Sequence, residues 1–274
     1  ITMPDGVVLA ADRYYPTASP DGLPLLLTRT PYGRKIEGLL ARIFAERGYQ
    51  VLVVSCRGTF DSGGDWLPFQ NERADGRAVL AWVAEQPWFG DRVGLFGASY
   101  VGLTQWSVLD GAPDYVKAWA PTVTSSYFAD LFYPGNSFAL ENSLTWIDGL
   151  AHQEKPFLRQ LLRMPGAQKR MAKAAKVLPL ADADSAITGA SVEFYQQWLG
   201  HPGGLDPYWT PVDFASARKK APPASFTAGW YDIFLKDQVR DYIALRAAGR
   251  DARLAIGPWH HGSMGQAGKS MRGT

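Results

Sequence analysis

The chain has 274 residues, of which 46% are hydrophobic and 20% are charged, as in a globular protein with a large core. Its 28 Lys and Arg residues nearly balance 26 Asp and Glu residues, and a net charge of +2 argues against a nucleic-acid partner. The single Cys56 rules out a disulfide within the chain and a cysteine-based metal cluster, and no apolar stretch reaches the roughly 20 residues of a membrane span.

The first part of the chain alternates short apolar strands with amphipathic helices. Asp5-Gly6 predicts a turn and 7–15 a strand, so we expect the chain to open with a hairpin. Strands separated by helices of ordinary length form βαβ units, which predicts a mostly parallel sheet. The further strands are predicted at 25–28, 51–54, 93–96 and 116–120, and the helices at 39–47, 71–86 and 101–109.

The alternation stops at Ser125 and resumes near residue 219. Between these points lie short helical patterns broken by Pro and Gly, which we interpret as a helical insertion that caps the sheet. The core is therefore predicted to comprise 1–124 and 219–274, and the cap 125–218. In the second part of the core we predict strands at 224–228 and 253–256, with a helix at 237–249 between them.

One serine lies on a sharp turn between a strand and a helix. The stretch reads V-G-L-F-G-A-S-Y-V-G, with Ser99 between small residues and the second glycine displaced to Gly102. A hydroxyl held on such a turn projects clear of the backbone, the arrangement known as a nucleophile elbow. A glycine-serine match alone fits an ordinary βα turn equally well, so the interpretation depends on the rest of the site.

An acid and a histidine follow in the chain order typical of α/β-hydrolases, with Ser99 first, then Asp232, then His261. Each lies just after a predicted strand, within five residues of its end, and the carboxyl ends of parallel strands meet at one edge of a sheet. Singly, Asp232 is also a good helix cap, and the pair His260-His261 is also compatible with a structural role. Together the three positions predict a Ser-His-Asp site.

The chain resembles the cocaine esterase and X-prolyl dipeptidyl-peptidase group of α/β-hydrolases. This resemblance implies a mostly parallel sheet with helices on both faces and an inserted helical cap. It also implies a C-terminal β jelly-roll domain, which we expect to be absent from this chain. The motifs that carry it are Pro31-Tyr32, Arg57-Gly58, the G-A-S-Y-V-G stretch, Gly229-Trp230-Tyr231-Asp232 and Gly257-Pro258-Trp259-His260-His261.

The resemblance also implies roles for individual residues. Ser99 corresponds to the nucleophile, His261 to the general base and Asp232 to the carboxylate that orients it. The Tyr32 hydroxyl and the Tyr100 backbone N–H correspond to the oxyanion hole. Trp146 and Phe234 are candidates for an aromatic acyl pocket, and for both an ordinary place in the core is an equally good interpretation. No metal and no organic cofactor are implied.

We therefore predict a serine hydrolase that cleaves carboxylic esters through an acyl-enzyme. An amidase, peptidase or β-lactam acylase is the alternative, and recognition of a free amine would need carboxylates such as Asp130, Glu141 or Asp148. A binding domain that has lost the chemistry is the non-enzymatic alternative. The expected partner is a small-molecule ester or amide, and a homo-oligomer is left open. We favour the cytoplasm over secretion, an open choice because the chain begins at Ile1 and not at Met.

Overall fold

The computed structural model describes residues 1–17, 21–163 and 165–262 and divides the chain into two compact units. One unit comprises Ile1–Tyr127 together with Val212–Thr274, and the other comprises Phe128–Pro211. The second unit lies within the segment 125–218 that the sequence assigns to an inserted cap. The first unit contains the sheet and all three residues of the predicted Ser-His-Asp site.

A seven-stranded sheet organises the first unit, and all its strands are parallel except the first. The order across the sheet is β1-β3-β2-β4-β5-β6-β7, with β1 antiparallel to β3 at one edge. This order places β4, which leads to Ser99, in the middle of the sheet. The strands are β1 (Ala11–Tyr14), β2 (Leu25–Thr30), β3 (Gln50–Ser55), β4 (Val93–Ala98), β5 (Val116–Thr122), β6 (Ala224–Tyr231) and β7 (Ala252–His260).

Helices connect the strands of the sheet and build the inserted unit. Those of the first unit are α1 (Arg34–Ala45), α2 (Glu72–Ala84), α3 (Tyr100–Leu109) and α10 (Leu235–Ala247). Those of the second unit are α4 (Ala129–Phe132), α5 (Leu140–Leu150), α6 (Phe157–Arg163), α7 (Ala167–Ala174), α8 (Ala183–Thr188) and α9 (Glu193–Gly200).

The alternating residues of β2 show that helices cover both faces of the sheet. Leu26 packs with Ala41 of α1, whereas Arg29 contacts the backbone of Glu72 in α2 and of Thr104 in α3. Positions of opposite parity in a strand point to opposite faces. Helix α1 therefore covers one face, and α2 and α3 cover the other.

The sequence predicts the strands in the right places but too short at their carboxyl ends. Strand β7 continues to His260 where the pattern predicts an end at 256, so His261 follows the last strand residue immediately. The chain does open with a turn at Asp5-Gly6, since Thr2 and Val8 form an antiparallel bridge and the Met3 N–H donates to the Val7 carbonyl at 2.7 Å. The strand predicted over 7–15 is shorter, because β1 covers only Ala11–Tyr14 and pairs with β3. Helix α1 begins at Arg34 and not at residue 39, directly after Gly33, whose φ of 92° forms the turn into the helix.

The inserted unit has an aromatic core of its own. Trp198 lies at its centre, with ring centroids of Phe132, Phe194 and Trp146 between 4.1 and 5.7 Å away. Aromatic pairs at these separations contribute beyond the area that they bury. This cluster explains why a segment with short and broken helices folds compactly.

The two chain segments that connect the units are fastened inside the first unit by one buried carboxylate. Asp241 of α10 accepts hydrogen bonds from the Ser126 N–H at 2.7 Å and from the Arg218 Nε at 2.9 Å. Beside them, Tyr127 and Asp213 form an antiparallel bridge. Ser126 leads into the insertion and Arg218 follows it, so its entry and exit meet at Asp241.

Two kinds of feature are not found within the described ranges. None of the helices there combines the length and the apolar character that a membrane crossing requires. Nor does that part of the chain bring together three or more His, Cys, Asp or Glu side chains as a metal-binding group.

Candidate active site

Ser99 occupies a strained turn between β4 and α3. Its backbone has φ 58° and ψ −125°, a region that residues with a side chain rarely adopt. Strain of this kind costs on the order of 1–3 kcal/mol and persists only where the surroundings impose it. The turn holds Ser99 half-buried at the carboxyl end of a central strand, as the nucleophile-elbow motif predicts.

The small residues around Ser99 are required by close packing. A Cβ atom on Gly97 would overlap the side chain of Val101, and one on Gly102 would lie 2.6 Å from Cβ of Thr124. This explains why the second glycine of the motif is displaced, because position 102, and not 101, faces Thr124 just after β5.

The end of β5 holds the turn from the other side. The Ser99 N–H donates to the Thr122 carbonyl at 3.0 Å, and the Thr124 hydroxyl donates to the Ser99 carbonyl at 2.9 Å. Between them Val123 has φ 39°, an outlier for a β-branched residue. The strained Val123 thus turns Thr124 toward the serine.

Asp232, His261 and Ser99 are joined by two hydrogen bonds. Nδ1 of His261 lies 2.8 Å from Oδ2 of Asp232, and Nε2 of His261 lies 2.9 Å from Oγ of Ser99. With the proton on Nδ1, the imidazole donates to the carboxylate and Nε2 accepts from the serine hydroxyl. The other carboxylate oxygen of Asp232 accepts the Phe234 N–H at 2.8 Å, and the Asp232 side chain is only 1% exposed.

The glycines of the two last motifs make room for a tryptophan. A Cβ atom on Gly229 would overlap the backbone carbonyl of Trp259, and one on Gly257 would overlap the Trp259 ring. The ends of β6 and β7 stay paired there, with Tyr231 opposite His260. This pairing places the residues that follow, Asp232 and His261, side by side.

The two predicted oxyanion donors lie on neighbouring elements. Tyr32 follows β2, and its ring meets the Tyr100 ring edge-on at a centroid distance of 6.4 Å. Tyr100 is the first residue of α3, and the N–H groups of a first helical turn point out of the helix end. Their roles as oxyanion donors remain predictions.

A buried charge network that the sequence analysis missed lies next to Tyr100. The Glu72 carboxylate accepts from Arg29 Nη1 at 2.8 Å and from the Tyr100 hydroxyl at 2.9 Å. Burial raises the pKa of the Tyr100 phenol and that of the Cys56 thiol well above their usual values, and the Glu72 charge adds to both shifts. Arg29, in a strand that begins with three leucines, was the available signal, because a buried guanidinium requires a carboxylate partner.

The two predicted pocket aromatics differ in their surroundings. Phe234 is 1% exposed, and its ring centroid lies 5.5 Å from that of His261. Trp146 belongs to the aromatic core of the inserted unit. In that unit Asp148 is engaged by Arg170 at 3.5 Å, while Asp130 and Glu141 lie in or next to the first turns of α4 and α5.

Comparison with known proteins identifies the family of the chain. The model of the X-Pro dipeptidyl-peptidase (S15) family matches residues 5–263. The chain belongs to this S15 family. A curated relative, the cocaine esterase of Rhodococcus sp. (strain MB1 Bresler), is 32% identical over 96% of this chain and 48% of its own length.

Solved structures share the fold of this chain. An aminopeptidase from a marine-sediment Thaumarchaeota archaeon matches with a TM-score of 0.71 and 19% identity, over 96% of this chain and 48% of that one. An α-amino acid ester hydrolase matches with a TM-score of 0.68 and 19% identity, over 96% and 47%. These structures confirm the predicted α/β-hydrolase fold, and the match of the S15 family model confirms the predicted family. This S15 chain spans about half the length of these relatives.

Proposed function

We propose that this chain is a serine hydrolase that cleaves carboxylic ester bonds through an acyl-enzyme on Ser99. One observation carries the proposal, namely the continuous hydrogen-bonded series from Asp232 through His261 to the Ser99 hydroxyl. Membership of the S15 family and the likeness to a cocaine esterase support it.

In the proposed reaction, Ser99 Oγ attacks the acyl carbonyl while His261 Nε2 takes the serine proton. The carbonyl oxygen becomes an oxyanion, for which the Tyr32 hydroxyl and the Tyr100 N–H are the proposed donors. When the oxyanion collapses, the bond to the alcohol breaks and His261 gives its proton to the leaving alkoxide. A water molecule, deprotonated by His261, then attacks the acyl-enzyme and releases the acid and free Ser99.

Asp232 has two tasks in this scheme. It holds the imidazole in the tautomer with the proton on Nδ1, and it stabilises the imidazolium that forms in each half-reaction. Its burial and its second bond to the Phe234 N–H fix the carboxylate in place. Phe234, packed on the imidazole, covers one side of His261, and we propose that it also borders the acyl pocket.

A fluorophosphonate probe tests the assignment directly. We expect a single adduct, mapped to Ser99 by peptide sequencing, and none in Ser99→Ala. Hydrolysis of 4-nitrophenyl acetate should be lost in Ser99→Ala and His261→Ala but kept in His260→Ala, which changes the neighbouring histidine. An adduct on another serine, or equal losses at His260 and His261, would contradict the proposal.

Cleavage of an amide after proline is the second candidate, because the matching family model describes X-Pro dipeptidyl-peptidases. The same Ser99 acyl-enzyme would form from an amide, with His261 protonating an amine leaving group instead of an alkoxide. Turnover of a Gly-Pro 4-nitroanilide by wild type, absent in Ser99→Ala and faster than that of esters, would favour this candidate. Faster turnover of esters would favour the first.

A further inference from the structure

Resting on the proposed function, we infer that Glu72 and the phenol of Tyr100 act as positioning residues for the oxyanion hole. Tyr100 is the residue after the nucleophile, and its own backbone N–H is one of the two proposed donors. Its ring touches Tyr32, which bears the other. A displacement of this one side chain would therefore disturb both donors.

The Tyr100 hydroxyl is fixed by two hydrogen bonds of opposite direction. It donates to Glu72 Oε1 at 2.9 Å and accepts the Phe69 N–H at 2.8 Å. Phe69 also stacks on the ring at a centroid distance of 5.1 Å, from a backbone with φ 75°. The phenol thus links helix α3 to the start of α2 and to a strained loop residue before it.

The Glu72 carboxylate is in turn fixed from the opposite side. Arg29 donates to Glu72 Oε2 at 2.8 Å and to the Glu72 carbonyl at 2.7 Å, and its second terminal nitrogen also reaches Ser107 Oγ at 3.0 Å. Arg29 and Glu72 are 3% and 4% exposed. A buried ion pair is weak evidence for stability, because desolvation offsets much of its attraction. Its orientation toward Tyr100 gives it a functional explanation.

A carboxylate is better suited to this task than a neutral acceptor. A hydrogen bond to a charged acceptor is shorter and about twice as strong as a neutral one, so it defines the phenol position more closely. The phenol keeps its proton because its pKa is raised by burial and by the adjacent carboxylate. Oxyanion donors act only within a few tenths of an ångström of the right place.

The variant Tyr100→Phe tests the inference, since it keeps the ring and removes the two hydrogen bonds. For 4-nitrophenyl acetate we expect kcat to fall about 10- to 100-fold with KM within about twofold, somewhat less than loss of a whole donor. The affinity of phenylboronic acid, whose tetrahedral adduct with the serine places a boron-bound oxygen where the oxyanion would lie, should fall by a similar factor. Glu72→Gln keeps an acceptor for the phenol, so its loss should be smaller.

Tyr115→Phe is the matched control, because it removes a phenol hydrogen bond to the Leu80 carbonyl at the far end of β5. We expect it to lower the melting temperature without changing kcat or boronate affinity. Each variant is assayed below its own unfolding transition. If Tyr100→Phe does not fold, the double variant Arg29→Met with Glu72→Gln, which removes both charges together, carries the same test.

The outcomes separate this inference from the proposed function. A Tyr100→Phe enzyme whose kcat falls no further than that of Tyr115→Phe would overturn the positioning role and leave the hydrolase intact. A rise in KM together with a fall in kcat, while boronate affinity stays unchanged, would overturn it as well. Wild-type protein that neither hydrolyses the ester nor labels at Ser99 would overturn the function itself, and the positioning role with it.

Discussion

Thr124 donates its hydroxyl to the backbone carbonyl of Ser99 at 2.9 Å, and Val123, the residue before it, has a positive φ. The strained residues Ser99 and Val123 directly follow the adjacent strands β4 and β5, and the bond from Thr124 helps to hold the Ser99 backbone. The Ser99 carbonyl also accepts the N–H groups of Gly102 and Leu103. The serine turn is thus fixed by its own helix and by the neighbouring strand.

We expect Thr124→Val and Thr124→Ser to separate two effects of this contact. The valine variant keeps the packing against Gly102 and loses the hydrogen bond, so kcat for an ester should fall severalfold and stability by about 1 kcal/mol. The serine variant keeps the hydroxyl and loses a buried methyl, so stability should fall by about 1 kcal/mol with kcat retained. Steady-state kinetics and chemical denaturation measure both. Equal kcat values in the two variants would refute a role for the hydrogen bond.

Replacing Ser99 should show how much its strained backbone lowers the free energy of unfolding. Ser99→Gly and Ser99→Ala both remove the nucleophile, but only glycine adopts φ 58° and ψ −125° without a side-chain penalty. We expect Ser99→Gly to be about 1 kcal/mol more stable than Ser99→Ala, after allowing for the greater flexibility of unfolded glycine. Urea denaturation of the two inactive proteins measures the difference. An alanine variant as stable as the glycine variant would mean that the turn is relaxed.

Tyr32→Phe tests the other proposed oxyanion donor. The phenyl ring retains the edge-on contact with Tyr100, so we expect folding to change little. Loss of one oxyanion donor lowers turnover by about 100- to 1000-fold in comparable enzymes, so kcat should fall while KM stays near its wild-type value. Unchanged kcat for 4-nitrophenyl acetate would exclude Tyr32 from the oxyanion hole.

Cys56 should be unreactive in the folded protein. Its thiol is 1% exposed, and burial and the Glu72 carboxylate raise its pKa, so both access and thiolate are lacking. We expect iodoacetamide to modify it only at the rate of unfolding. Mass spectrometry during incubation, with a urea-unfolded sample as control, follows the reaction. Rapid modification of native protein at pH 8 would contradict this expectation.

The same pKa shift has a consequence for alkaline stability. Above about pH 8.5 the unfolded chain loses the thiol proton while the native state keeps it, so the native state binds more protons and stability falls with rising pH. The slope is about 1.4 kcal/mol per pH unit for one such group. The variant Cys56→Ala should be less stable at pH 7 but should lose less stability between pH 8 and pH 10. Parallel curves for the two proteins would refute this linkage.

The sequence predicts the parts of this molecule that obey local rules. The strands of the sheet and the order of Ser99, Asp232 and His261 follow from apolar runs and motif spacing. The burial of Glu72 could not be predicted, because an acidic residue at the start of a helix is usually an exposed partner of the helix dipole. Its burial depends on Arg29, 43 residues earlier in the chain. The positive φ of Val123 could not be predicted either, because a β-branched residue after a strand predicts extended backbone.

Asp241 binds both Ser126, where the insertion begins, and Arg218, which follows its end. The inserted unit is therefore one long loop between two neighbouring points of the core. Tyr127 and Asp213 are bridge partners, so the chain leaves and re-enters the core at adjacent positions, as in a hairpin with a very long turn. A short turn could therefore close the core across this bridge, and segments of other lengths could be accepted there, since the entropy of loop closure grows only slowly with length. Such a junction allows the inserted unit to diversify in evolution while Ser99, Asp232 and His261 stay on an unchanged scaffold.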